Sequence, residues 1–361
     1  MRIAVGVGAA AVVLLVGLAL GGSFDPTTGD DGIAAGARSL TVVALVAVAL
    51  GVVAYALVEW VQTRRVESIA RQFGTRTIVL IPFAIALNIV LGQTVGSYLR
   101  LPVYLDSVGT ILVGVLAGPI AGAATGVLSN LAWTFLLAGT PFGSAYAWPF
   151  AVVAAEIGFV AGIMGQAGLL RSRPQTPLST LVAGVAATLA VLGALAVLVV
   201  LPFYRTLCGD PATSGDYPLC APVLTADIEN PMFFLIGLAI LGLIALAVVG
   251  FAVRLAKDRD LGAVFALAAG AVCGVLSALI AAPIATLVFG GVTGGGTDLL
   301  VFAFLQAGSD LQTAVVQQSL LSDSIDKAIT YVLVFVLLAS ASRRAIARFP
   351  QGPKVIRQSE A

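Results

Sequence analysis

The sequence predicts an all-α integral membrane protein of about ten transmembrane helices, and three observations predict it. Hydrophobic residues make up 59 % of the chain and charged residues only 10 %. Apolar runs recur at lengths that match a hydrocarbon core of ~30 Å, which takes about 20 helical residues to cross, and in that medium each helix must satisfy its own backbone groups. The basic residues also sort to one side. With the N-terminus placed inside, only Arg38, Arg100, Arg205 and Lys327 of the 19 Lys and Arg residues fall outside, the asymmetry that the positive-inside rule demands.

The expected spans are 3–21, 39–61, 76–97, 106–118, 119–138, 145–168, 178–203, 231–256, 261–289 and 327–345. The first follows Arg2 and is long for a signal-peptide core, so it reads as a retained helix. In the fourth and fifth, Gly114, Gly118, Gly122 and Gly126 recur every four residues. Such a stripe lets another backbone approach closely, either within the bundle or on a docking partner. Pro119 interrupts the run, because proline lacks an amide donor and disfavours helix in the residue before it. Two helices therefore meet near Gly118, bringing Asp106, Ser107, Asn130 and Trp133 to one side of the membrane. The stretch 297–321 is amphipathic and too polar to span, so it reads as a helix or re-entrant segment over the outer mouth. Asp323, Asp326 and Lys327 then open the tenth span, where acids suit a helix N-terminus.

The organisation that follows is a pair of N-terminal helices and a cytoplasmic loop (1–75), a first core part (76–170), an inserted hairpin (171–260), a second core part (261–345) and a cytoplasmic tail (346–361). Both termini lie in the cytoplasm of a multi-pass plasma-membrane protein. Cys208 and Cys220 sit in the outer loop 204–230, where an oxidising compartment allows a disulfide between them, with two free thiols as the alternative. Cys273 lies between small residues of an apolar helix and reads as packing.

Several chemistries are excluded. The chain has no histidine, which removes His-based triads and His-ligated zinc. None of Lys257, Lys327 and Lys354 follows a glycine in a phosphate-cradling loop, and no basic surface interleaved with aromatics is present for nucleic acid. An enzyme, a metal and a cofactor have no positive signal. What remains is a set of polar residues inside apolar helices. An unsatisfied amide is costly in lipid, so Asn88 and Gln93 face protein, water or ligand. Glu156, in the sixth span, needs a partner or a proton. Asp106 and Ser107 cap the fourth span or contact ligand. Asn130 and Trp133, three residues apart, share a face that offers an amide beside a stacking surface.

The segments Ala84 to Gln93, Tyr104 to Thr110, the Gly118-Pro119 hairpin ending at Trp133, and Ser322 to Lys327 together resemble the substrate-binding S components of energy-coupling factor (ECF) transporters. The resemblance covers roughly 76–168 and 261–345. It implies a six-helix bundle that binds a vitamin or other micronutrient near the outer surface and works with a transmembrane coupling subunit and two ATPase subunits. Two departures stand out. Four helices are additional to the six, and the Ala-x-x-x-Ala docking motif of the first core helix is not clearly present, Pro82, Ala84 and Ala86 being spaced differently.

The reading is a membrane substrate-binding subunit for uptake of a small water-soluble micronutrient, with Gln93, Asp106, Ser107, Asn130, Trp133, Asp323 and Lys327 as substrate-binding residues. The acidic outer side favours an amine-bearing ligand, while Lys327 and Arg100 offer partners for a carboxylate. The alternatives are a membrane sensor domain and a solitary secondary transporter that uses Glu156 as proton carrier.

Overall fold

A computed structural model describes residues 67–99, 101–195, 255–306 and 308–356, together with 12, 50, 53–54, 56–62, 242, 246 and 249–253. The expected spans at 3–21 and 39–61, the second half of the inserted hairpin and the Cys208/Cys220 pair lie wholly or largely outside these residues. Among the described residues helices occur and strands do not. Eight helices build the bundle: α1 Thr75–Gly92, α2 Val108–Ala117, α3 Pro119–Leu131, α4 Ala151–Gln166, α5 Leu178–Leu195, α6 Leu261–Phe289, α7 Asp298–Gln306 and α8 Leu311–Ser340. Within the described residues, three segments are long and apolar enough to cross a membrane, Thr75–Gly96, Trp148–Gln166 and Leu261–Phe289.

Two expected boundaries change. The fourth span shrinks to the ten residues of α2, which rise only about 15 Å. Asp106 and Ser107 stay in the turn before it, and Ser107 makes no side-chain cap. The tenth span does not begin near Asp323. It belongs to α8, a helix of 30 residues whose cap is Asp310, with Oδ1 accepting from the Thr313 amide at 3.0 Å. The charges at 323, 326 and 327 therefore lie in mid-helix. The helix continues through them because they turn inward, where opposite charges meet.

Small residues set the packing. A Cβ on Gly122 would lie 2.3 Å from the Gly158 carbonyl oxygen, and one on Gly126 would lie 2.1 Å from that of Ala154. The glycine stripe thus holds α2 and α3 against α4, and is consumed inside the bundle rather than offered to a partner. Gly118, at φ +134°, makes the hairpin turn. Its neighbour α3 is capped from outside by buried Gln72, whose Oε1 accepts from the amides of Ile120 (2.9 Å) and Ala121 (3.2 Å). On the other side of the bundle, α6 and α8 repeat the device. Cβ atoms on Gly270 and Gly274 would lie 2.4 Å and 2.3 Å from the carbonyl oxygens of Lys327 and Asp323.

Residues 343–356 fold back across the end where α1 begins. The Gln351 amide donates to Leu116 O at 2.8 Å, Arg76 donates to Arg348 O and Arg171 to Ile356 O, while Ile346 and Val355 are buried. Asp260 organises the same end, accepting from Ser172 Oγ and from the amides of Arg173 and Gly262. The exposed positions of the helices are apolar, Ile78, Val79 and Phe83 on α1 and Leu276 and Leu279 on α6 among them, as suits a bilayer.

Candidate functional site

At the far end of the bundle the helices enclose a cavity of about 320 Å³. All seven residues selected from the sequence line it: Gln93, Asp106, Ser107, Asn130, Trp133, Asp323 and Lys327. Helices α1 and α3 reach it through π-helical turns, Gln93–Tyr98 and Ala132–Leu136, which carry Gln93 and Trp133. An extra residue per turn re-aims side chains, a device frequent at functional sites. Gly92 makes room for the indole, since a Cβ there would sit 2.5 Å from the Trp133 ring.

The seven do not all do the same work. Gln93 and Asn130 hold the loop between α3 and α4 that roofs the cavity. Gln93 Nε2 donates to Pro141 O at 3.2 Å and Asn130 Nδ2 to Ala147 O at 3.0 Å, and Tyr98 adds a second bond to Pro141 O at 2.9 Å. Lys327 is buried and answers two carboxylates, bonding Asp326 and lying 3.6 Å from Asp106 Oδ1. Burial pushes the Asp106 carboxyl above the ordinary carboxylate range, and the Lys327 ammonium works against that rise. The other three have no protein partner for their polar atoms. Trp133 Nε1 and Ser107 Oγ are buried without a hydrogen bond, and Asp323, 8 % exposed, makes no hydrogen bond or close ion pair among the described residues, Lys327 attracting it from beyond contact.

Asp326 is the residue whose role the sequence did not isolate. It is fully buried. One oxygen accepts from the amides of Tyr104 (3.1 Å) and Leu105 (2.7 Å) while the other meets Lys327. Leu105 takes φ 52°, a left-handed conformation that a branched residue adopts only under constraint. Asp326 supplies that constraint and so fixes the turn presenting Asp106 and Ser107. A second loop closes the wall. Asp298 accepts from the amides of Thr293 (2.9 Å) and Gly294 (2.6 Å), and the Tyr104 hydroxyl meets Thr297 Oγ1 at 2.5 Å.

Ser319 and Gln318 also line the cavity. Their signal is present in the sequence once α8 is continuous, since Ser319, Asp323 and Lys327 are spaced by four and share one face. Tyr104, Tyr146 and Phe150 also line the cavity, with Phe150 and Tyr146 braced by Phe289 at ring distances of 5.6 and 5.5 Å. Asn88, which the sequence left between two roles, belongs to the scaffold. Its amide donates to Thr110 Oγ1 at 2.8 Å and Ser129 Oγ at 3.2 Å, and its Oδ1 accepts from the Gly109 amide at 2.7 Å. Glu156 stands outside the cavity wall and accepts from Ser277 Oγ at 2.8 Å.

A cavity of this size, lined by both aromatic rings and charged groups, suits reversible binding of a small polar molecule with a flat apolar part. No group of three or more metal-ligating side chains occurs among the described residues. The family model described as ECF transporter, substrate-specific component matches residues 76–219. Five of the seven lining residues fall within that match, whereas Asp323 and Lys327 come from α8 beyond it. No curated protein and no solved structure matches the chain.

Proposed function

We propose, from the match of residues 76–219 to the ECF transporter substrate-specific component family, that the chain is a membrane substrate-binding subunit for uptake whose cargo is a small water-soluble micronutrient, a vitamin or vitamin precursor. The observation that carries this reading is the convergence of seven residues from α1, α3, α8 and the turn before α2 on one cavity, three of them with polar atoms the protein leaves unpartnered. In this reading Trp133 stacks on the ligand, Asp106, Ser107, Asp323 and Lys327 meet its polar groups, and Gln93 and Asn130 set the roof.

A transmembrane coupling subunit and two ATPase subunits supply the energy, in keeping with the lack of any phosphate-cradling loop in this sequence. The basic end, with Arg76, Arg171 and Arg348, faces the cytoplasm of the plasma membrane, to which the positive-inside rule also assigns both termini, and the cavity faces out. The test is co-expression with a coupling subunit and its ATPases. A complex that purifies together and drives uptake lost in Trp133→Ala is expected; a chain that purifies alone and supports no uptake with them overturns the proposal.

A solitary transporter is the second reading, favoured by one observation, the buried Glu156 Oε1 without a partner. Uptake without ATPases that disappears in Glu156→Gln would establish it.

A further inference from the structure

We infer that the cavity selects a cation: a small molecule whose amine, amidinium or ring-borne positive charge sits against Asp323, with a hydrogen-bond acceptor on its flat part meeting the indole N–H of Trp133. The inference deepens the proposed function and rests on it, naming the chemical class of the cargo.

The argument is one of charge and satisfaction. Two carboxylates, Asp106 and Asp323, and one ammonium, Lys327, line the cavity. The ammonium is already engaged, because it is bonded to Asp326 from behind the wall and lies 3.6 Å from Asp106 Oδ1. A substrate carboxylate would have to compete with both, and would enter beside acids that repel it. Asp323 is the opposite case. Its carboxylate is nine-tenths buried, lines the cavity and makes no hydrogen bond or close ion pair among the described residues, Lys327 attracting it from beyond contact while already held by Asp326 and Asp106. A buried charge without a contacting partner is costly, and a ligand cation offsets that cost more directly than the Lys327 ammonium, which Asp323 shares with Asp106 and Asp326. The helix packing keeps it there, since the contact of Gly274 with the Asp323 carbonyl leaves α8 no room to roll away.

Two neutral groups define the rest of the recognition pattern. Trp133 Nε1 is a donor with no other role, and Ser107 Oγ can donate or accept. Both are buried against the same cavity. The acceptor for Trp133 and the cation for Asp323 are therefore complementary features of one ligand, with Tyr104, Tyr146 and Phe150 offering faces for cation–π contact on the way.

The test is mass spectrometry of small molecules released from the full chain, purified gently after incubation with a water-soluble yeast extract. Wild type, Asp323→Asn, Asp323→Glu and Trp133→Ala are compared, each checked by size exclusion for a folded monodisperse peak. The expected result is a stoichiometric compound bearing an amine or a permanent positive charge. It should fall roughly 10- to 100-fold in Asp323→Asn, recover in part in Asp323→Glu, and be lost in Trp133→Ala. A compound retained by wild type and lost in Trp133→Ala, but neutral or anionic, overturns the cation inference and leaves the binding role standing. No compound retained by wild type, or one held equally by Trp133→Ala, overturns the binding role and the inference with it.

Discussion

Asn88 and Asp323 are both buried polar side chains on apolar helices, and they differ in where their hydrogen bonds go. Every bond of Asn88 ends inside the protein, on Gly109, Thr110 and Ser129, so α1, α2 and α3 are tied at one point. Asp323 makes no hydrogen bond among the described residues, and Trp133 Nε1 and Ser107 Oγ are buried without one. On the proposed function the difference becomes a rule for this bundle to be tested: a satisfied buried polar group is scaffold, and an unsatisfied one at the cavity wall is left for a ligand. Asp326 and Lys327 stand between the two classes, satisfied by each other yet placed to shape the wall.

The strongest challenge to that division is Asp326→Ala. It leaves the Lys327 charge buried beside a single partial partner and frees the Tyr104 and Leu105 amides, so a loss of about 3–5 kcal/mol is expected, read as a large drop in the detergent thermal midpoint. A stability near wild type would mean that Asp326 is not scaffold. Next comes Asn88→Leu, expected to cost about 2–3 kcal/mol because it strands the Gly109 amide and two hydroxyls; a variant of unchanged midpoint would move Asn88 out of the scaffold class. Gly122→Ala should cost about 1–3 kcal/mol by forcing α3 from α4, visible as a lower midpoint with little change in ligand affinity per folded molecule. The smallest effect is the most discriminating. Trp133→Phe keeps a ring and deletes a donor that bonds nothing in the protein, so stability should hold while binding weakens by about 0.5–1.5 kcal/mol, roughly three- to tenfold. Equal losses in stability and binding would break the comparison.

Much of this could be read from residues alone. Five of the six core spans fell close to α1, α2, α3, α4 and α6, because hydropathy and the Gly118-Pro119 turn are local signals, whereas the sixth overlaps only the second half of α8. The seven candidates line one cavity; the hairpin placed Asp106, Ser107, Asn130 and Trp133 on a shared side of the membrane, and adding Asp323 and Lys327 depended on their helix lying beside it. What escaped was non-local. The continuity of α8 through three charges depends on Lys327 finding Asp326 and Asp106, and no window of sequence displays that neutralisation. The expectation of a helix start at Asp323 treated inward charges as caps, whereas the cap is Asp310. The π-helical turns at Gln93 and Ala132 have no sequence signature, and the split of the seven into roof-holders and unpartnered groups needed coordinates.

The left-handed Leu105 turn bears on kinetics as well as shape. Its conformation is set by Asp326 within the folded chain, so the segment carrying Asp106 and Ser107 is ordered before any ligand arrives. Ordering a side chain on binding costs about 0.5–1.5 kcal/mol each, and here that cost is met during folding instead. If the cavity holds the proposed ligand, preorganisation of this kind expresses affinity as long residence, with differences among related ligands falling in the dissociation rate.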